Sequence, residues 1–307
     1  MASYACLTIA ALLLPGGICS AQVPVNQPDG ASIRVDVDLV LVPVTVTDRR
    51  GHVISGLDQS RFRVFEEGVP QPIVAFSTEE LPASIGMVLD VSGSMRPKLA
   101  TARSLVSALL KVTATGDEAL FLKCADRPGM QAELTPDIAS FENLLRAAVP
   151  GGWTALVDSI YLTLDRMKPA RNSRKVVVVV SDGVDNHSRF TRRELLSRAI
   201  ESEAQIFTVA TRDLPGTRKA VELQEDNQGM AFLDDLANAT GGVYFQVDSA
   251  DSIPAVAERI SLALHHQYLI GYRPTDASRR GLRRIQVKLD LPDMRLYARN
   301  AYFAAAP

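Results

Sequence analysis

Three residues within five could act together on a metal ion: Asp90, Ser92 and Ser94, in the run IGMVLDVSGSM from Ile85 to Met95. One carboxylate and two hydroxyls are hard oxygen donors. They suit Mg²⁺ or Mn²⁺ better than a soft metal. Gly93 between the serines lets the backbone turn tightly. Two further oxygens stand far along the chain: Thr154, after Pro150-Gly151-Gly152-Trp153, and Asp182, between Ser181 and Gly183. Taken alone, the first cluster could do no more than cap a helix, since Ser and Asp are common there. Whether the five residues meet depends on the elements that carry them.

Those elements alternate. The apolar run Ile85–Leu89 reads as a buried strand that delivers Asp90 to its end, and Pro97–Lys111 reads as the helix after it. Glu118–Cys124 is the next strand, with Met130–Leu134 as a short edge strand. Asp137 is a candidate N-cap for a helix over Ile138–Val149, and Ala155–Met167 is amphipathic. Arg174–Ser181 contains an unbroken Val run, the mark of a central parallel strand covered on both faces. Thr191 and Glu194 form a capping box for a helix to about Glu203. Gln205–Ala210 is a strand, Thr211–Asn227 a polar surface insertion, and Met230–Thr240 a helix stopped by Gly241-Gly242. Val243–Gln246 and Ile253–His266 are the last strand and helix. This order implies an α/β fold, a doubly wound and mostly parallel sheet flanked by helices. In such a sheet the strand-to-helix loops share one edge, where ligands bind. Asp90, Ser92, Ser94, Thr154 and Asp182 all fall in loops at that edge.

Both flanks have a β texture. Ile33–Thr47 alternates, with Val35, Val37, Leu39 and Leu41 on one face and a possible bulge at Pro43 shifting the phase to Val44 and Val46. A turn at Asp48–Gly51 leads to His52–Ile54. Phe62–Phe65 follows, and Ile73–Phe76 is its return strand. After residue 266, Tyr268–Tyr272, Arg284–Leu291 and Arg295–Phe303 read as strands. Neither flank has strands enough for a sandwich. The expectation is that residues 33–80 and 268–303 pair into one small β-sandwich-like domain, with the α/β domain, residues 83–266, inserted between them.

The chain has 307 residues, 47% hydrophobic and 22% charged, with a formal net charge of −2. That composition is globular and gives no reason to expect nucleic acid as a partner. Met1–Ala21 reads as a secretory signal, with an apolar core at Leu7–Leu14 and small residues before Gln22. The mature chain would then be periplasmic or extracellular and without a transmembrane span. Of three cysteines, Cys6 and Cys19 lie in that segment, and Cys124 reads as a core residue.

DVSGSM at Asp90–Met95, GGWTAL at Gly151–Leu156 and VVSDG at Val179–Gly183 resemble the three parts of the metal-ion-dependent adhesion site of von Willebrand factor A domains. The resemblance covers about residues 83–266. It implies that Asp90, Ser92, Ser94, Thr154 and Asp182 bind Mg²⁺, with Mn²⁺ or Ca²⁺ as alternatives. The flanks resemble a bacterial family of exported proteins related to that domain, although Asn300-Ala301-Tyr302-Phe303 lacks the glycine expected before the tyrosine.

A site held mainly by hydroxyls is short of direct negative charge, so its open position would attract an outside carboxylate. The expectation is therefore a non-enzymatic protein-binding module whose partner presents an Asp or Glu. The competing reading is a Mg²⁺-dependent phosphatase-like enzyme using Asp90. That chemistry wants a second acid two residues on, where Ser92 stands, and no GxSxG elbow is present. A purely structural envelope role is the third reading. Trp153 either meets a ligand on the rim or packs under its loop. Asp185, Asn186, His187 and Arg189 form either rim or solvated loop. His265 and His266 are adjacent on a helix and point apart. Arg279–Arg284 reads as a solvated turn.

Overall fold

The computed structural model describes residues 39–211, 220–276 and 280–304. The expected signal segment and the first residues of the expected strand from Ile33 lie outside these. Four strands come first: β1 (Val40–Thr47), β2 (Phe62–Glu66), β3 (Val69–Gln71) and β4 (Ile73–Ser77). The alternating part runs β5 (Ala83–Asp90), α1 (Leu99–Lys111), β6 (Glu118–Cys124), β7 (Gly129–Thr135), α2 (Phe141–Arg146), α3 (Leu156–Arg166) and β8 (Arg174–Ser181). It continues with α4 (Arg192–Ser202), β9 (Gln205–Thr211), α5 (Ala220–Thr240), β10 (Tyr244–Val247) and α6 (Ile253–His265). Four strands follow: β11 (Tyr268–Tyr272), β12 (Gly281–Leu289), β13 (Arg295–Ala298) and β14 (Ala301–Ala304). Among the described residues no helix is long and apolar enough to cross a membrane.

The central sheet has the order β10-β9-β8-β5-β6-β7. All its pairs are parallel except the antiparallel edge pair β6–β7. Val176, Val178 and Val180 face a core shared with α1, α2 and α6. Val177 and Val179 face a second core shared with α3, α4 and α5. With helices on both faces, β8 has no polar side, which is why its sequence is an unbroken Val run. Val88 pairs with Val179 and Leu89 with Val180, so the ends of β5 and β8 lie side by side. The capping box of α4 is present, Thr191 accepting from the Glu194 amide and Glu194 from the Thr191 amide.

Three expectations for this part need correction. Ile138–Ser140 is a 3-10 turn, the helix after it ends at Arg146, and the Asp137 side chain caps neither. The stretch taken as a polar insertion is helical from Ala220 on, and residues 212–219 lie outside the described set. Ala, Glu, Leu and Gln in that stretch are helix formers, although they show no apolar stripe.

The remaining strands form two four-stranded sheets, β13-β1-β11-β4 and β14-β12-β2-β3. Each mixes strands from before and after the α/β part. Their common core joins Val40, Val42, Val44, Val46, Tyr268 and Ile270 of one sheet to Phe62, Val64 and Ile285 of the other. Val44 and Val46 are buried as expected, but before Pro43 the phase of β1 is opposite to expectation: Val40 and Val42 are buried while Leu39 and Leu41 are exposed. The register to β11 runs through Pro43 without a bulge, so no phase shift occurs. Ile73–Ser77 does not return along β2. It pairs with β11, and the three-residue β3 takes the place beside β2. The last expected strand breaks at Arg299-Asn300 into β13 and β14, which belong to different sheets. When both faces of a strand are apolar, alternation reports neither which face is buried nor which sheet the strand joins.

Arg283 also departs from the expected solvated turn. It is 2% exposed and donates from Nη1 to Glu66 Oε1 at 2.6 Å. Glu66 Oε2 accepts from the hydroxyls of Tyr272 and Tyr302, at 2.7 and 2.9 Å. Burial, and then the adjacent Glu66 carboxylate, hold the Tyr272 hydroxyl far above its ordinary value. This cluster ties both sheets together with one buried charge pair. Removing one partner of such a pair costs about 3–5 kcal/mol, because the other charge stays buried alone. Glu66→Leu is therefore expected to lower stability by that amount in urea unfolding, and an unchanged midpoint would contradict the role given to Glu66.

Candidate metal site

Asp90 has no exposed surface at the end of β5. Its carboxylate is held on both sides. Oδ1 accepts from the Ser92 amide at 2.9 Å, and Oδ2 accepts from the Ser181 hydroxyl of the neighbouring β8 at 2.5 Å. Ser181 Oγ in turn accepts from the Gly183 amide at 2.9 Å. Burial, and then the charge of Asp182, push the Asp90 carboxyl up to about 6. A second carboxylate nearby in a poorly solvated place raises the cost of ionising Asp90, and a cation relieves it.

Ser92 and Ser94 stand together, their hydroxyl oxygens 3.2 Å apart. The segment between them is a 3-10 turn, Gly93–Met95, whose Met95 side chain is buried and anchors the loop. Asp182, just after β8, is 3% exposed, and its Oδ1 accepts from the Val184 amide at 3.2 Å. Its Oδ2 accepts from Lys98 Nζ at 2.9 Å, and this Lys is itself buried. The sharp turn after Asp182 needs Gly183, at φ +79°. A Cβ there would lie 2.2 Å from the Gly229 carbonyl oxygen of α5. The Asp182 loop is thus pressed backbone to backbone against a helix.

Thr154 is buried in the third loop. Its amide donates to Asn186 Oδ1 at 2.9 Å, and its carbonyl accepts from the amides of Asn186 and His187, both at 3.0 Å. Asp185 Oδ1 accepts from the Leu156 amide at 2.9 Å, at the start of α3. The same loop reaches the first one: the Gly151 amide donates to the Val91 carbonyl at 2.8 Å, and the Gly93 amide to that of Gly152 at 3.0 Å. Ser92 links Asp90, through its amide, to Ser94, through its hydroxyl. Asp182 joins them through its charge, and Thr154 through the backbone bonds that lock the three loops at one sheet edge.

Three contributors escaped the sequence reading: Lys98, Ser181 and Gly229. Ser181 adjoins Asp182 in the motif already quoted. Lys98 and Gly229 carry no local signal, since only the fold brings them to the edge. Asp185 and Asn186 are loop clamps rather than free solvated residues. Trp153 is 62% exposed and does not pack under its loop; its ring lies 6.4 Å from that of His187, nearly parallel. Cys124 is buried, and burial raises its thiol well above the ordinary value. His265 and His266 turn to different acids, Asp117 and Glu80.

The donor set fits a small hard cation. Every candidate ligand atom is oxygen, three of them neutral hydroxyls, and of the two carboxylates Asp182 pairs with the Lys98 ammonium.

Residues 85–184 match the family model described as the von Willebrand factor type A domain. No curated protein matches the chain. Among solved structures, the conserved hypothetical protein BatB from Bacteroides thetaiotaomicron is 21% identical, with a TM-score of 0.46 over 58% of this chain and 97% of that one. The vWF domain of the type V pili tip protein Mfa5 from Porphyromonas gingivalis is 14% identical, with a TM-score of 0.46 over 61% of this chain and 97% of that one. A von Willebrand factor type A structure from Catenulispora acidiphila is 11% identical, with a TM-score of 0.49 over 88% of this chain and 74% of that one. The von Willebrand factor type A match begins in β5 and ends just past Asp182, so all five candidate ligands lie within it.

Proposed function

We propose that this chain is an exported, metal-dependent protein-binding module. Asp90, Ser92, Ser94, Thr154 and Asp182 hold a divalent cation, Mg²⁺ first and Mn²⁺ or Ca²⁺ as alternatives, and the rim receives an Asp or Glu carboxylate of a partner protein. The observation that supports this reading is the meeting of two buried carboxylates and a pair of serine hydroxyls where three loops are locked together. The von Willebrand factor type A match over residues 85–184 supports a protein-interaction module as well. The apolar leader, Leu7–Leu14, supports export.

The charge balance explains why an acidic group is the expected ligand. The five candidate ligands include two carboxylates, and Lys98 offsets one of them, Asp182. A divalent ion would supply enough charge to make the site net positive, and such a site draws anions to its open side. The exposed Trp153, beside His187, gives the rim an aromatic surface for the residues around that carboxylate. Catalysis is not part of the proposal. The position where a phosphatase-like mechanism wants a second acid is Ser92, whose amide is committed to Asp90 and whose hydroxyl lies against Ser94.

Calorimetry with MgCl₂ tests the metal. The wild-type chain should bind one ion, Asp182→Ala should abolish binding, and Ser92→Ala should weaken it by about tenfold or more. Equal heats from all three, with unchanged circular dichroism, would refute the site. The partner is tested by capture on the immobilised chain from a bacterial envelope extract. Proteins retained in Mg²⁺ should be released by EDTA and by an excess of a Glu-containing peptide; retention indifferent to both would refute the carboxylate reading.

A further inference from the structure

A second polar site lies at the opposite edge of the central sheet, where the beginning of β10 and helix α6 meet β1 and β13. There a cavity of about 100 Å³ is lined by Arg49, Arg50, Arg259 and Arg295, and by no Asp or Glu. Guanidinium groups stay charged at any physiological pH, so four around one small space repel each other unless an anion sits among them. The nearby acids are engaged outside it. Asp293 pairs with Arg49, and both partners are exposed. Asp48 accepts from the amides of Arg50 and His52 and from the His52 ring.

The floor of the cavity is built to present these groups. Arg259 Nε donates to the Gly51 carbonyl at 3.0 Å, and its guanidinium lies 5.5 Å from the centre of the Phe245 ring. Gly51 stands at φ +81°, and a Cβ there would lie 2.0 Å from Arg259 Nη2. The glycine therefore gives the arginine its space. Thr47 supplies an independent sign of a ligand. It lines the cavity and is only 3% exposed, yet its hydroxyl has no hydrogen-bond partner among the described residues. A buried hydroxyl is rarely left unpaired, because its lost hydration is not replaced.

We propose that this cavity binds a phosphate group. Arg50 and Arg295 close on its charge from the mouth, Arg259 faces it from α6, and the Thr47 hydroxyl donates to one of its oxygens. Arginines arriving from three elements suit a doubly charged tetrahedral group better than one planar carboxylate. The volume suits a single phosphate, either the free ion or the end of a phosphomonoester. The site shares no residue with the candidate metal site, so the two proposals stand or fall apart.

The test is calorimetry and thermal unfolding of the full chain at constant ionic strength, with sodium phosphate or glycerol phosphate replacing chloride. Phosphate is expected to raise the unfolding midpoint with increasing concentration. Glycerol phosphate raising it equally would assign the phosphomonoester, and inorganic phosphate alone raising it would assign the free ion. Arg50→Ala/Arg295→Ala removes two exposed side chains and should fold as the wild type does, with affinity for inorganic phosphate lowered about tenfold or more. Thr47→Val should be at least as stable as wild type in chloride and bind phosphate more weakly. The proposal is overturned if phosphate gives no more protection than chloride, or if it protects the double variant as well as the wild type.

Discussion

The molecule depends on keeping the Asp90 carboxylate at the end of β5, where water does not reach it. That position is set by two of the most apolar strands in the chain, whose side chains fill a core on each side of the sheet. The carboxylate is tolerable there because β8 supplies the Ser181 hydroxyl, the turn after β5 supplies the Ser92 amide, and Lys98 offsets the second acid, Asp182. Burial and the neighbouring charge still leave Asp90 reluctant to ionise. The local structure around it follows. The loops must be short and stiff, and they are bonded to each other through backbone groups at Val91, Gly93, Gly151 and Gly152.

The opposite edge of the sheet solves a different problem, that of attaching a domain whose neighbours come from both sides of it in sequence. Arg174 begins β8, and its Nη1 collects the carbonyls of Leu81, Leu264 and His265. These mark where the chain enters the α/β part and where it leaves. Beside them, Asp117 accepts from the Ala83 and Ala114 amides and from the His265 ring. Burial works against that charge, but these bonds outweigh it and hold the carboxyl below its usual range. Arg299, between β13 and β14, reaches the Leu41 carbonyl on one side and Glu203 after α4 on the other. Polar bonds thus join the two sheets to the α/β part alongside the apolar packing of Val53 and Tyr297 against its core. A joint of that kind fixes direction better than apolar contact alone, because each bond has one geometry.

Two sites of opposite character are arranged along this frame. The C-terminal edge of the sheet carries acids and hydroxyls, suited to a cation. The N-terminal edge, against β1 and β13, carries arginines and an unsatisfied hydroxyl, suited to an anion. Their separation follows from parallel topology, in which strand ends of one kind lie on one edge.

Periodicity and short motifs were enough to find most of the elements. β6, β8 and β11 have the expected bounds because their apolar runs are set off by clear turn residues. That Asp90, Ser92, Ser94, Thr154 and Asp182 share one sheet edge was legible because each stands at or just beyond a strand end or before a helix, and a parallel sheet gathers such positions at one edge. Tertiary structure decided what local pattern does not encode. The face of β1 that is buried, the sheet that β4 joins and the split of the last strand depend on partners distant in sequence. So do the burial of Arg283 beside Glu66 and the pairing of Lys98 with Asp182. A charged side chain looks the same in sequence whether it meets water or a buried counter-charge, and only the packed chain brings the counter-charge to it.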